Sequence, residues 1–220
     1  MRAKEFTEAE TGTPNSNAIK KTLLSAGYTM LGDGVDATVW SKDQGTVIKI
    51  IMPDQGEKIT AAANTFYKFY EFCQQHQDLT CLPKFISIGG KHHATFDIHG
   101  KEYLQIAMER LIPIPKNSLQ EWMVWGLSDF ASKKVSWDQI YSELTDPEFW
   151  PEKGVAEQIK QLSPREIEPY KILSAVMMLL YITGRINKLG WDVHTENAMM
   201  RKNGDIVITD PWFNSEHGSI

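Results

Sequence analysis

Apolar residues recur along this chain with two different periods. From Tyr28 to Ile51 (YTMLGDGVDATVWSKDQGTVIKII) they come in short β-rich runs separated by glycine and aspartate, which predicts a strand from Tyr28, a second through Thr38–Trp40 and a third over Thr46–Ile51. Runs at Cys81–Ser87, Ala94–His99 and Glu102–Leu111 complete a set of about five strands. Helical spacing interrupts them at Ala18–Ser25, closed by Gly27, and at Glu57–Gln75, where Ala61, Thr65, Tyr67, Phe69 and Phe72 are assigned to one face.

After Pro113 and Pro115, which stop the last long strand, the period becomes helical: Leu119–Phe130, Trp137–Leu144 and Val155–Leu162, broken at Pro147, Pro151, Gly154 and Pro164. Ser163-Pro164-Arg165-Glu166 reads as a capping box with proline in the first turn, and it opens a strongly apolar helix running to about Leu189. Its most apolar stretch, Ile172–Ile182, is too short to span a bilayer and is expected to be a buried spine. Next come a loop to Asn197 and a hairpin of Ala198–Met200 and Ile206–Thr209 around Asn203-Gly204. The expected class is α+β in two lobes: an antiparallel five-stranded sheet with one main helix over residues 18–115, and a reduced, mostly helical lobe over 116–220. Residues 1–17 read as a flexible polar arm.

Composition narrows the function classes. A hydrophobic fraction of 42% and a charged fraction of 23% are those of an ordinary globular protein. A net charge of -5 gives no electrostatic reason for nucleic-acid or membrane binding. Cys73 and Cys81 are too few for a disulfide framework or a zinc cluster, so a reducing cytoplasm is the expected location. His92 and His93, with His99, lack an acid or cysteine to complete a metal set and are expected to be exposed loop residues. Trp122, Trp125, Trp137 and Trp150 crowd the middle third, either as core of the helical lobe or as a patch for a protein partner.

The chemistry concentrates between Leu189 and Phe213. Asp192 is followed five residues later by Asn197, then by a hairpin that delivers Asp210. An aspartate can accept the proton of an acceptor hydroxyl, while Asn197 and Asp210 offer oxygen ligands suited to Mg2+ together with phosphate oxygens. Upstream, Gly32 and Gly34 lie in a turn where backbone can approach a nucleotide, and Lys49 in VIKI is placed to hold phosphates. Glu57 is the preferred acid to orient Lys49, with Glu71 the other candidate, and Met108, Glu109 and Leu111 are candidates to line an adenine pocket of ATP.

GYTMLGDG at Gly27–Gly34, VIKI around Lys49, D-x-H-x-x-N from Asp192, and NGD with ITDP through Pro211 resemble the protein kinase-like superfamily, most closely the early serine/threonine kinases of podophages. The resemblance covers roughly Gly27–Phe213 and implies ATP-dependent phosphorylation of host proteins, including transcription or translation machinery, in the host cytoplasm. The chain departs from the pattern in three places. Gly190-Trp191 stands where those kinases have His-Arg, Ala37 replaces the third loop glycine, and Pro211-Trp212 replaces Phe-Gly after the metal aspartate, which should restrict flipping of Asp210. Only ten residues follow Asp210, so substrate choice is expected to come from earlier in the chain, the tryptophan-rich stretch included. Two rival readings follow. One is a kinase-shaped protein acting by binding; the other is a small-molecule phosphotransferase, suggested by His194, with Asp138, Glu143, Asp146 and Glu148 available to line a polar pocket.

Overall fold

The computed structural model describes residues 14–33, 37–51, 61–87, 93–98 and 101–214. They fall into two compact units: Met1–Gln77 with Pro83–Arg110, and Asp78–Leu82 with Leu111–Ile220.

The first unit contains α1 (Pro14–Ser25), β1 (Thr29–Asp33), β2 (Ala37–Ser41), β3 (Thr46–Ile51), α2 (Ala61–Gln75), β4 (His93–Ile98) and β5 (Lys101–Glu109). Its five strands form one antiparallel sheet in the order β1-β2-β3-β5-β4. The expected sheet with one main helix is therefore present. Helix α1 starts four residues before the predicted Ala18, and it ends where Gly27 takes a φ of 82° while Gly27 and Tyr28 donate to Leu24 and Leu23.

Strand β3 is buried on both faces, with Lys49 the partly exposed exception in its second half. Ile48 and Ile50 join Ile19, Trp40 and Tyr103 in a cluster also packed by Leu23, so α1 covers that face. Period-2 alternation turns Lys49 to the opposite face, where its ammonium lies 4.0 Å from the ring centroid of Phe66 on α2.

Two sequence expectations are corrected in this unit. Cys81–Ser87 is not a sheet strand: Pro83 lacks a donor, and only a single bridge, Phe85 to Met108, links the segment to β5. His93 is not an exposed loop residue but opens β4, with its ring edge-on to Tyr67 and Tyr70 and its Nδ1 buried without a hydrogen bond. His92 and His99 lie outside the described residues.

The second unit contains β6 (Ile112–Pro113), α3 (Leu119–Phe130), α4 (Trp137–Leu144), a 3-10 turn (Pro147–Phe149), α5 (Val155–Lys160), α6 (Pro164–Ile186), β7 (Leu189–Trp191), β8 (Ala198–Met200), β9 (Ile206–Ile208) and β10 (Trp212–Asn214). Ser163 and Glu166 form the predicted capping box at the start of α6. The inner face of α6 buries Leu173, Val176, Met177 and Leu180, and α3 packs against α4, α5 and α6.

Helix α6 is not buried all round as its composition suggests. Ile172, Leu179, Ile182 and Ile186 leave a second apolar row exposed. The tryptophans also divide. Trp150 is core, its indole donating to Leu144 O at 2.7 Å, whereas Trp125 is 46% exposed beside Phe149. Among the described residues, no helix is long and apolar enough to cross a membrane.

Candidate active site

The second unit builds its polar centre at the end of α6. Asn187 caps that helix, Lys188 turns the chain with a φ of 57°, and β7 leads into the loop at Asp192. Strand β10 pairs antiparallel with β7, matching Trp212 to Trp191 and Phe213 to Gly190, and Asp192 N–H donates to Pro211 O at 2.9 Å. At Gly190 the Phe213 ring lies in the space a Cβ would fill. Two residues past Asp210, Trp212 is buried, donates its indole N–H to Leu180 O at 3.0 Å and lies against Gly184.

The loop folds on itself through Asn197. Its Nδ2 donates to both Asp192 O, at 2.7 Å, and Asp192 Oδ2, at 2.8 Å. The amide nitrogen is thus turned toward Asp192 and His194, which leaves the side-chain oxygen as the atom able to face a cation. Asn197 N–H donates to His194 O at 3.0 Å, while Thr209 caps Asn197 O with its N–H at 2.9 Å and its hydroxyl at 3.1 Å. In this way β9 is tied directly to the loop one residue before Asp210.

His194 completes the group. Glu196 N–H donates to His194 Nδ1 at 3.2 Å, while His194 Nε2 lies 3.1 Å from Asn197 Nδ2 and 3.7 Å from Asp192 Oδ1. Burial pushes the Asp192 carboxyl above its ordinary range, and Asp210 pushes the same way; His194 and the Asn197 hydrogen bond partly offset them. A carboxylate destabilised by burial is a better proton acceptor than a free aspartate, which suits it to general base work on a hydroxyl. Cys81 has no comparable use: it is buried, with its thiol pushed up to about 11 by desolvation.

Asp192, His194, Asn197 and Asp210 are thus assembled by one loop and one strand pair. Among the described residues, no group of three or more His, Cys, Asp or Glu is arranged to hold a metal. The donors present fit a narrower task. The Asn197 amide oxygen and the Asp210 carboxylate are a hard oxygen pair, of the kind that holds Mg2+ when phosphate oxygens and water fill the remaining positions.

The remaining predicted residues belong to the first unit, Leu111 excepted. Gly32 follows a β-bulge in β1, and Lys49 sits over Phe66. Met108 is buried near the end of β5. Glu109 N–H is committed to Lys84 O at 2.8 Å, and its carboxylate accepts from Lys84 N–H at 2.8 Å. Leu111 is buried as the first residue of its stretch in the second unit, and Glu71 lies on the exposed side of α2. Gly34 and Glu57 lie outside the described residues.

Sequence reasoning missed Ser128, Thr209 and Phe66. Nothing in spacing signals Ser128, which reaches the loop from 63 and 65 residues away. Trp212 was visible as a departure from pattern, but its role as an anchor was not.

No known family model matches the chain, and no curated protein matches it. Solved structures similar to it include an amicoumacin kinase in complex with AMP-PNP, Ca2+ and Ami, at 14% identity and a TM-score of 0.42 over 90% of this chain. An aminoglycoside phosphotransferase from Alicyclobacillus acidocaldarius has 13% identity and a TM-score of 0.38 over 97% of the chain and 70% of its own. A microcompartment-associated aminopropanol kinase has 10% identity and a TM-score of 0.42, covering 88% and 68%. The chain spans 64% of the length of the amicoumacin kinase. At TM-scores under 0.5, these likenesses leave the function to the residues themselves.

Proposed function

We propose that this chain is an ATP-dependent phosphotransferase that phosphorylates a hydroxyl group. The observation that carries the reading is the loop in which Asn197 Nδ2 is bonded to the Asp192 carboxylate while β10, which follows Asp210, is paired to β7, which leads into Asp192. Asp192 takes the acceptor proton as the oxygen attacks the γ-phosphate. Asn197 and Asp210 are the residues that would hold Mg2+, and the ion would supply positive charge at the phosphate oxygens. Lys49 binds phosphate oxygens as a point charge, and Gly32, near the end of β1, lets the backbone approach the nucleotide.

The acceptor we favour is a small molecule. His194, 3.7 Å from the Asp192 carboxylate, stands where aminoglycoside-type phosphotransferases resemble this chain. A second reading, transfer to Ser or Thr of a host protein in the manner of the phage kinases, is favoured by Trp125, whose exposed ring beside Phe149 suits a protein contact.

ADP release measured across a panel of aminoglycosides, amino alcohols and sugars, beside a protein substrate mixture, tests both acceptor readings. The expected result is acceptor-dependent turnover lost at least 100-fold in Asp192→Asn, in line with the contribution of a positioned base. Turnover equal in wild type and Asp192→Asn would remove the reading, and turnover confined to the protein mixture would replace the favoured acceptor with the second.

A further inference from the structure

We infer that Ser128 of α3 is a positioning residue for the base Asp192, an inference that rests on the phosphotransferase reading. Its hydroxyl donates to Val193 O at 2.6 Å and accepts from the Trp191 indole N–H at 3.2 Å. These are the residues on either side of Asp192. One hydroxyl thus clamps both flanks of the base, using its single hydrogen on one and a lone pair on the other.

The clamp joins a loop to rigid elements. Ser128 lies in the last turn and a half of α3, among Leu127 and Phe130, which are buried. Trp191 is also held by Tyr181 of α6, whose ring lies edge-on at 5.7 Å, and the Val193 side chain is buried. Asp192 itself is left partly exposed between two anchored neighbours, free to meet an acceptor yet fixed in direction. Removing the hydroxyl leaves Trp191 Nε1 and Val193 O to find other partners, so the loop backbone on both sides of Asp192 loses its tie to α3. A base misplaced by a fraction of an ångström loses rate without losing nucleotide binding, because geometry at the reacting oxygen is what it supplies.

Three variants test this: Ser128→Ala, Ser128→Thr and Trp191→Phe, each assayed for kcat and KM and by hydrogen exchange over residues 190–198. Ser128→Ala should lower kcat about tenfold, the scale of one to two lost hydrogen bonds, with KM for ATP unchanged. Ser128→Thr keeps the hydroxyl and should recover most of that loss. Trp191→Phe removes only the indole donor and should fall between them. Amides from Gly190 to Ala198 should exchange faster in Ser128→Ala while those of α3 keep their protection.

Wild-type kcat in Ser128→Ala, beside an inactive Asp192→Asn, overturns the inference and leaves the phosphotransferase reading standing. A kcat loss not rescued by Thr, with exchange accelerated throughout α3, overturns it in favour of a packing role. If wild type itself turns over no acceptor, that reading fails and exchange decides the clamp: faster loop exchange in Ser128→Ala supports it, and unchanged exchange ends it.

Discussion

Gly184→Ala should destabilise the protein although it places a better helix former inside α6. On propensity alone the exchange stabilises a helix interior by about 1 kcal/mol. A Cβ at 184, however, would stand 2.7 Å from Trp212 Nε1 and 2.9 Å from its Cδ1, inside the closest approach such atoms tolerate. Trp212 cannot swing clear cheaply. It is 4% exposed, and its indole N–H is bonded to Leu180 O at 3.0 Å, one turn earlier on the same helix.

Overpacking at such a site costs roughly 1–3 kcal/mol, and a buried hydrogen bond broken in the adjustment adds about 1 kcal/mol. After the propensity gain, the net loss is about 1–3 kcal/mol, which lowers the midpoint of thermal unfolding by some 2–12 °C at 2–4 °C per kcal/mol for a chain of this size. Calorimetry or circular dichroism reads it directly. Gly190→Ala is the built-in comparison: its Cβ would meet the Phe213 ring, which is 42% exposed and has solvent to move into, so its loss should be the smaller. A Gly184→Ala protein as stable as wild type, or more so, refutes the reasoning, because propensity would then have outweighed the contact.

Three further outcomes are expected. Because burial raises the Asp192 carboxyl, the basic form is lost as pH falls through a value above that of an ordinary aspartate, so kcat/KM should decline on the acid side earlier than for a free carboxylate. His194 lowers that carboxyl, so His194→Gln should move the acid limb to higher pH; a pH–rate profile that moves to lower pH would contradict the assignment. Ser163→Ala removes the side chain that accepts from Glu166 N–H at the start of α6 and should cost about 1 kcal/mol in urea unfolding, with kcat unchanged.

Local signals carried most of the helical reading. Leu119–Phe130 and Trp137–Leu144 are placed by apolar period and breakers, and the capping box at Ser163 marks the start of α6 because cap chemistry is contained within four residues. What pattern cannot see is context. The run Cys81–Ser87 has strand-like composition, yet Pro83 keeps it to one bridge beside β5. Arg201, far along the chain, donates from its guanidinium to Thr80 O and, at 2.9 Å, to Leu82 O, so Asp78–Leu82 belongs to the second unit for reasons no local window contains. The candidate site loop was legible in outline, since Asp192, Asn197 and Asp210 are fixed by short spacing. Its supports, Ser128 and Thr209, were not, because a hydroxyl contributes through where the fold carries it.

The pairing of β7 with β10 has a mechanical consequence. Asp192 follows one strand of that clip and Asp210 precedes the other, so their separation is set by backbone hydrogen bonds across a few residues rather than by the drift of helices. Damage there is shared: a change that loosens the clip displaces Asp192 and Asp210 together. Tolerance to substitution around this centre should therefore be uneven, generous on the outer face of α6 and abrupt along Trp191, Pro211 and Trp212.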